Sequence, residues 1–80
     1  MDTQKALGWI TDILSVQGRV LSATDTRRSV GEWDSLGDLL LLSRLEEDLG
    51  VVVSADDLAA LSSVKEILTL IEKANAFSVG

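Results

Sequence analysis

The chain has 80 residues, 46% of them hydrophobic and 25% charged, which is enough for one ordinary globular core and too little for two. Thirteen acidic against seven basic residues give a net charge of −6, which repels a phosphate backbone, argues against a nucleic-acid partner and favours a basic protein surface. Histidine and cysteine are both absent, and with them go disulfides, thiolate metal sites, the thiol nucleophile and the commonest general base. Such a chain has to be explained by what it carries or binds.

Proline is also absent, so no position forbids a helix. The first helix is predicted from about Thr3 to Val16, with Asp2 or Thr3 as its cap and Leu7, Ile10 and Leu14 on one face. Trp9 falls off that stripe and is expected against the following loop. From Gln17-Gly18 to Asp34 the chain is rich in turn residues, with Val20, Leu21, Val30 and Trp33 expected to pin it to the core. A connection this long in so small a domain tends to be functional or to pack as ordered coil.

The second helix is predicted from Ser35 or Leu36 to Leu49, stopped by Gly50, with Leu41, Leu45 and Leu49 as its core stripe and Leu42 beside it. Val51 to Val53 reads as an extended connector, since a lone strand has no partner. Ser54, with Asp57 at the capping-box position, starts a short helix running to Leu61. Ser63, three residues before Glu66, starts the last helix, which runs to about Ala74 with Val64, Ile67, Leu68 and Ile71 as its apolar face. The expected fold is all-α: a four-helix bundle with a short third helix and a long first loop, in one domain over residues 1–74. Residues 75–80 lack periodicity and are expected to fray.

The N-terminal residues show no basic segment followed by an apolar stretch, and the longest apolar run, Leu39 to Leu42, is far too short for a bilayer. No membrane association is expected, and the expected location is the cytoplasm.

The negative charge is concentrated. Residues 32–57 hold eight acids and one base, Arg44, a local charge of −7. A solvated helix face would explain this, but so dense a field in so small a chain favours a docking surface. On the helical wheel Leu36, Leu39 and Leu40 point away from the core and share the outer side with Ser43, Glu46 and Glu47. An apolar patch with an acidic rim marks a partner site, unless the first loop folds over one of the leucines, Leu39 being the best placed.

Ser35 stands where the turn-rich loop becomes the second helix. It has no histidine to deprotonate it, and neither Lys5 nor Lys65 has a spacing that argues for that role, so it is not read as a catalytic nucleophile. Two readings remain: a helix N-cap paired with Asp38, or a serine modified by another enzyme, at a place where the helix terminus favours an anion.

Asp34-Ser35-Leu36, followed by Leu45-Glu46-Glu47-Asp48-Leu49-Gly50, a connector, a short acidic helix and Leu61-Ser62-Ser63-Val64, resembles the acyl carrier proteins without gaps from about Trp33 to Ile71. The resemblance implies that Ser35 receives 4′-phosphopantetheine from coenzyme A through a separate phosphopantetheinyl transferase, which brings the magnesium; the chain itself holds no metal. It implies that Asp34 and Leu36 flank the attachment residue, and that the terminal thiol of the arm holds an acyl group as a thioester. It further implies that Glu46 and Glu47 meet basic patches on acyl-loading and acyl-processing enzymes, with Leu36, Leu39 and Ser43 supplying outer-face contacts; Leu40 joins this docking face by its place on the wheel. The carrier is then a monomer and not itself an enzyme. An aminoacyl or peptidyl carrier and an unmodified interaction module are the alternatives. Gly31-Glu32-Trp33-Asp34 lacks the glycine pair usual in peptidyl carriers.

Four features depart from the general fatty-acid carriers: Gly37 after the motif, where glycine costs about 1 kcal/mol of helix propensity and Asp38 stands in for the usual acid; Leu40; Arg44; and Arg27-Arg28 in the loop. Together they favour one dedicated pathway, and Trp33 before the aspartate with Gly37 after the leucine resembles the discrete carriers of polyketide or other specialised biosynthesis.

Overall fold

The computed structural model describes residues 2–74. Four helices follow in chain order: α1 (Thr3–Ile13), α2 (Ser35–Leu49), α3 (Ala55–Ala59) and α4 (Val64–Lys73). None of the described helices is long and apolar enough to cross a membrane. The segment expected to fray, 75–80, lies outside the described residues.

Each helix start has a side-chain cap. Asp2, Asp34, Ser54 and Ser63 accept the backbone N–H three residues on, at Lys5, Gly37, Asp57 and Glu66. At Ser63 the Glu66 side chain reaches back past the cap, its Oε1 accepting from the Ser62 N–H and from both serine hydroxyls. These bonds hold the Glu66 carboxyl below its ordinary range.

α1 ends at Ile13, three residues before the expected Val16. Ser15 adopts a left-handed conformation (φ 57°), and the N–H groups of Ser15 and Val16 turn back to Asp12 and Thr11. Thr11 bonds the turn from inside: its hydroxyl donates to the Leu7 carbonyl and accepts the Leu21 N–H, both buried. α2 ends as expected at Gly50, whose φ of 67° requires little of a residue without Cβ. α3 stops at Ala59, two residues short of Leu61, because the Leu61 N–H bonds in a tight turn to Leu58.

The core takes Leu7, Ile10 and Ile13 from α1, Leu41 and Leu45 from α2, Leu58 from α3 and Val64, Ile67, Leu68 and Ile71 from α4. Leu49 and Leu42 are only half-buried. Three of the four loop anchors, Leu21, Val30 and Trp33, are buried; Val20 is exposed. Trp9, expected against the following loop, packs on the edge of the core. It is half-buried, and its indole N–H donates to Asp48 at 2.7 Å, joining α1 to the far end of α2.

The first loop is ordered coil tied to the head of α4. The Thr26 and Ser63 backbones form an antiparallel bridge, flanked by bonds from Val64 to Asp25 and from Lys65 to Ala23. Asp25 organises the loop itself. It accepts from the Arg19 guanidinium, the Ser22 N–H and the Ser29 hydroxyl, which hold its carboxyl far below the ordinary range.

Gly37 corrects an expectation. A Cβ there would lie 2.8 Å from both the Glu32 carbonyl oxygen and a Leu14 methyl. Glycine is needed where the loop and α1 close onto the first turn of α2, and this close approach outweighs its poor helix propensity.

Candidate functional site

The head of α2 is built by Asp34, not by Ser35. Asp34 has extended backbone angles, and its carboxylate accepts the Gly37 N–H at 3.0 Å. An anion at this helix terminus also opposes the positive end of the dipole. Ser35 is therefore the first helical residue, and the expectation that it caps α2 with Asp38 fails. The consequence is chemical. The Ser35 hydroxyl is exposed and makes no hydrogen bond among the described residues, on a backbone fixed by its neighbours.

Asp38 points inward. Its two oxygens accept from the two terminal nitrogens of Arg27 at 3.1 and 2.9 Å, and Oδ1 also accepts the Trp33 indole N–H at 3.0 Å. It does not replace a docking acid. Arg27, expected to add charge to the loop surface, is consumed by the same network; Arg28 is the exposed member of the pair. Between the first turns of α2 and α3 lies an open groove of about 270 Å³, lined by Ser35, Asp38, Leu39, Ala55, Asp56 and Ala59.

The outer face of α2 follows the wheel. Leu36, Leu39 and Leu40 are all exposed, and the first loop covers none of them. Ser43 and Glu46 are exposed beside them, and the Ser43 hydroxyl donates to Glu47 at 2.9 Å. The structure thus brings all six residues onto one side of α2, with Ser35 at its head. Arg44 adds less positive charge to this helix than the sequence implies, because it pairs with Asp48 one turn on at 2.8 Å. The Trp9 indole and then Arg44 hold the Asp48 carboxyl below its usual range.

Sequence reasoning missed Arg27 as a structural node. The available signal was Trp33, an indole in a loop that needs an acceptor once buried.

A capped helix head with an exposed serine hydroxyl thus stands in a small all-α bundle. The family model described as the phosphopantetheine attachment site matches residues 6–71, and the chain belongs to that family, with the small all-α acyl carrier fold. No curated protein matches the chain. The domain is a site of covalent 4′-phosphopantetheine attachment. The head of α2 fits such a group: it offers an accessible hydroxyl without a competing partner among the described residues, at a helix N-terminus, opening on a groove.

Proposed function

We propose that the chain, over residues 1–74, is an acyl carrier protein whose arm is attached to Ser35. The observation that carries this reading is the Ser35 hydroxyl, exposed and without a hydrogen bond among the described residues, while Asp34 does the capping. When bound, the phosphopantetheine arm supplies a thiol that holds an acyl group as a thioester. In the attachment step, catalysed by a separate phosphopantetheinyl transferase, the Ser35 oxygen bonds to the phosphorus that bears pantetheine in coenzyme A. The phosphoanhydride bond to adenosine 3′,5′-bisphosphate breaks, and the serine proton passes to a base of the transferase. This chain's part is to hold the hydroxyl still and accessible. Asp34 fixes the first turn, Leu36 stands next to the attachment residue, and Gly37 seats the turn on the loop.

Leu36, Leu39, Leu40, Ser43, Glu46 and Glu47 are the docking face for enzymes with basic patches. Charge complementarity speeds encounter and a small apolar centre allows easy release, as a shuttle between enzymes requires. The carrier is cytoplasmic, monomeric and without catalysis of its own, in line with the non-catalytic character of such domains. Leu40 and the inward-turned Asp38 give an outer face poorer in acid than the sequence count implies, which supports one dedicated polyketide or related pathway over general fatty-acid supply.

Intact mass after incubation with coenzyme A and a promiscuous transferase tests the reading. Wild type gains one phosphopantetheinyl group and Ser35→Ala gains none. A loaded Ser35→Ala protein refutes it.

A further inference from the structure

The Arg27 side chain lies at the junction of three elements. Its guanidinium meets Asp38 of α2 through both terminal nitrogens, and it donates to the Leu58 carbonyl at 2.7 Å and to the Leu61 carbonyl. It lies 4.4 Å from the centre of the Trp33 ring, whose N–H donates to the same Asp38. The Leu58 carbonyl, which also accepts the Leu61 N–H, is in the last turn of α3 and the Leu61 carbonyl lies two residues beyond that helix, near the negative end of its dipole. α3 has five residues, too few to hold itself together. Its buried apolar anchor is Leu58. The Arg27 bonds are the polar attachment of this element to the loop and to the first turns of α2.

From this arrangement we infer that Arg27 is a positioning residue for the docking of partner enzymes beside Ser35. It acts through α3, which supplies Ala55, Asp56 and Ala59 as one wall of the groove opening at the serine. With Arg27 in place, partner enzymes meet a preformed wall. Without it they must order α3 as they bind, and binding is weakened by that ordering. The serine itself is held by Asp34 and Gly37, so the loss falls on docking and not on the reactivity of the hydroxyl. The inference rests on the reading of Ser35 as the attachment residue.

The test is Arg27→Gln, read two ways. Amide hydrogen exchange is expected to speed up about tenfold or more at the end of α3 and through Leu61, with α1 and α4 unchanged. Steady-state transfer from coenzyme A is expected to show a KM for the carrier raised about fivefold with kcat within a factor of two. If Arg27→Gln does not fold, Asp38→Asn, which keeps an acceptor for Trp33 and removes the charge, is expected to show the same local exchange at a smaller amplitude. Unchanged exchange at α3, uniform loss of protection in all helices, or a loosened α3 with an unchanged KM overturns the inference. Failure of the wild-type protein to accept the arm at all would instead strike the Ser35 reading, and the exchange data would still report on the Arg27 contacts.

Discussion

Arg27 and Asp38 keep only 25% and 15% of their side-chain surface in water, whereas Leu36, Leu39 and Leu40 are 64%, 56% and 41% exposed as whole residues. The usual placement of charged and apolar side chains is thus reversed between the loop side of α2 and its outer face. On the loop side every polar group of the network has a partner: the guanidinium has a carboxylate and two carbonyls, and the indole has the same carboxylate. On the outer face the three leucines stay exposed to water. The first region spends its charge on shape and the second leaves its apolar surface for another molecule. Sequence charge is therefore a poor map of the docking field here. Of the acids between residues 32 and 57, Asp34 is used as a cap, Asp38 in the loop network and Asp48 at the α1 junction.

Substitutions on the two sides of α2 should part widely. Leu41→Ala, on the buried side, is expected to lower stability by about 3 kcal/mol in denaturant melts. Gly37→Ala should cost about 1–3 kcal/mol from the contacts with Glu32 and Leu14, more than its helix propensity returns; a stabilised protein would show that the loop yields there. Asp25→Asn probes the rest of the polar loop. The native carboxylate titrates below its unfolded value, so it stabilises the fold above the ordinary aspartate range near 4 and that contribution fades as pH falls below it. The variant should show a lower Tm at neutral pH and a flatter decline of Tm below about pH 4. Leu40→Glu should have the smallest effect on folding, within about 0.5 kcal/mol, while slowing turnover by an enzyme that uses the carrier. A large loss of stability would put Leu40 in the core and erase the comparison.

What is local in this chain is legible in its sequence. The apolar face of α4, the capping serines Ser54 and Ser63 and the stop at Gly50 all follow from patterns a few residues long. The outer side of α2 is legible for the same reason, since the period that buries Leu41 and Leu45 exposes Leu36, Leu39 and Leu40. What escapes is non-local. Arg27 meets carbonyls 31 and 34 residues away, Trp9 finds Asp48 39 residues away, and Gly37 is required by Leu14. The identity of the cap escapes for a subtler reason. Asp34 and Ser35 are both good N-cap residues, and nothing in the local pattern separates them; the structure gives the cap to Asp34.

The account turns on which hydroxyl takes the arm. Cleavage after Arg28 and Arg44 releases a peptide that holds Ser29, Ser35 and Ser43 together. Tandem mass spectrometry of that peptide from the loaded wild-type protein separates the three. The arm on Ser35 is the predicted result, since Ser29 is bonded to Asp25 and Ser43 to Glu47. The arm on either neighbour, or on a serine outside this peptide, would contradict the account.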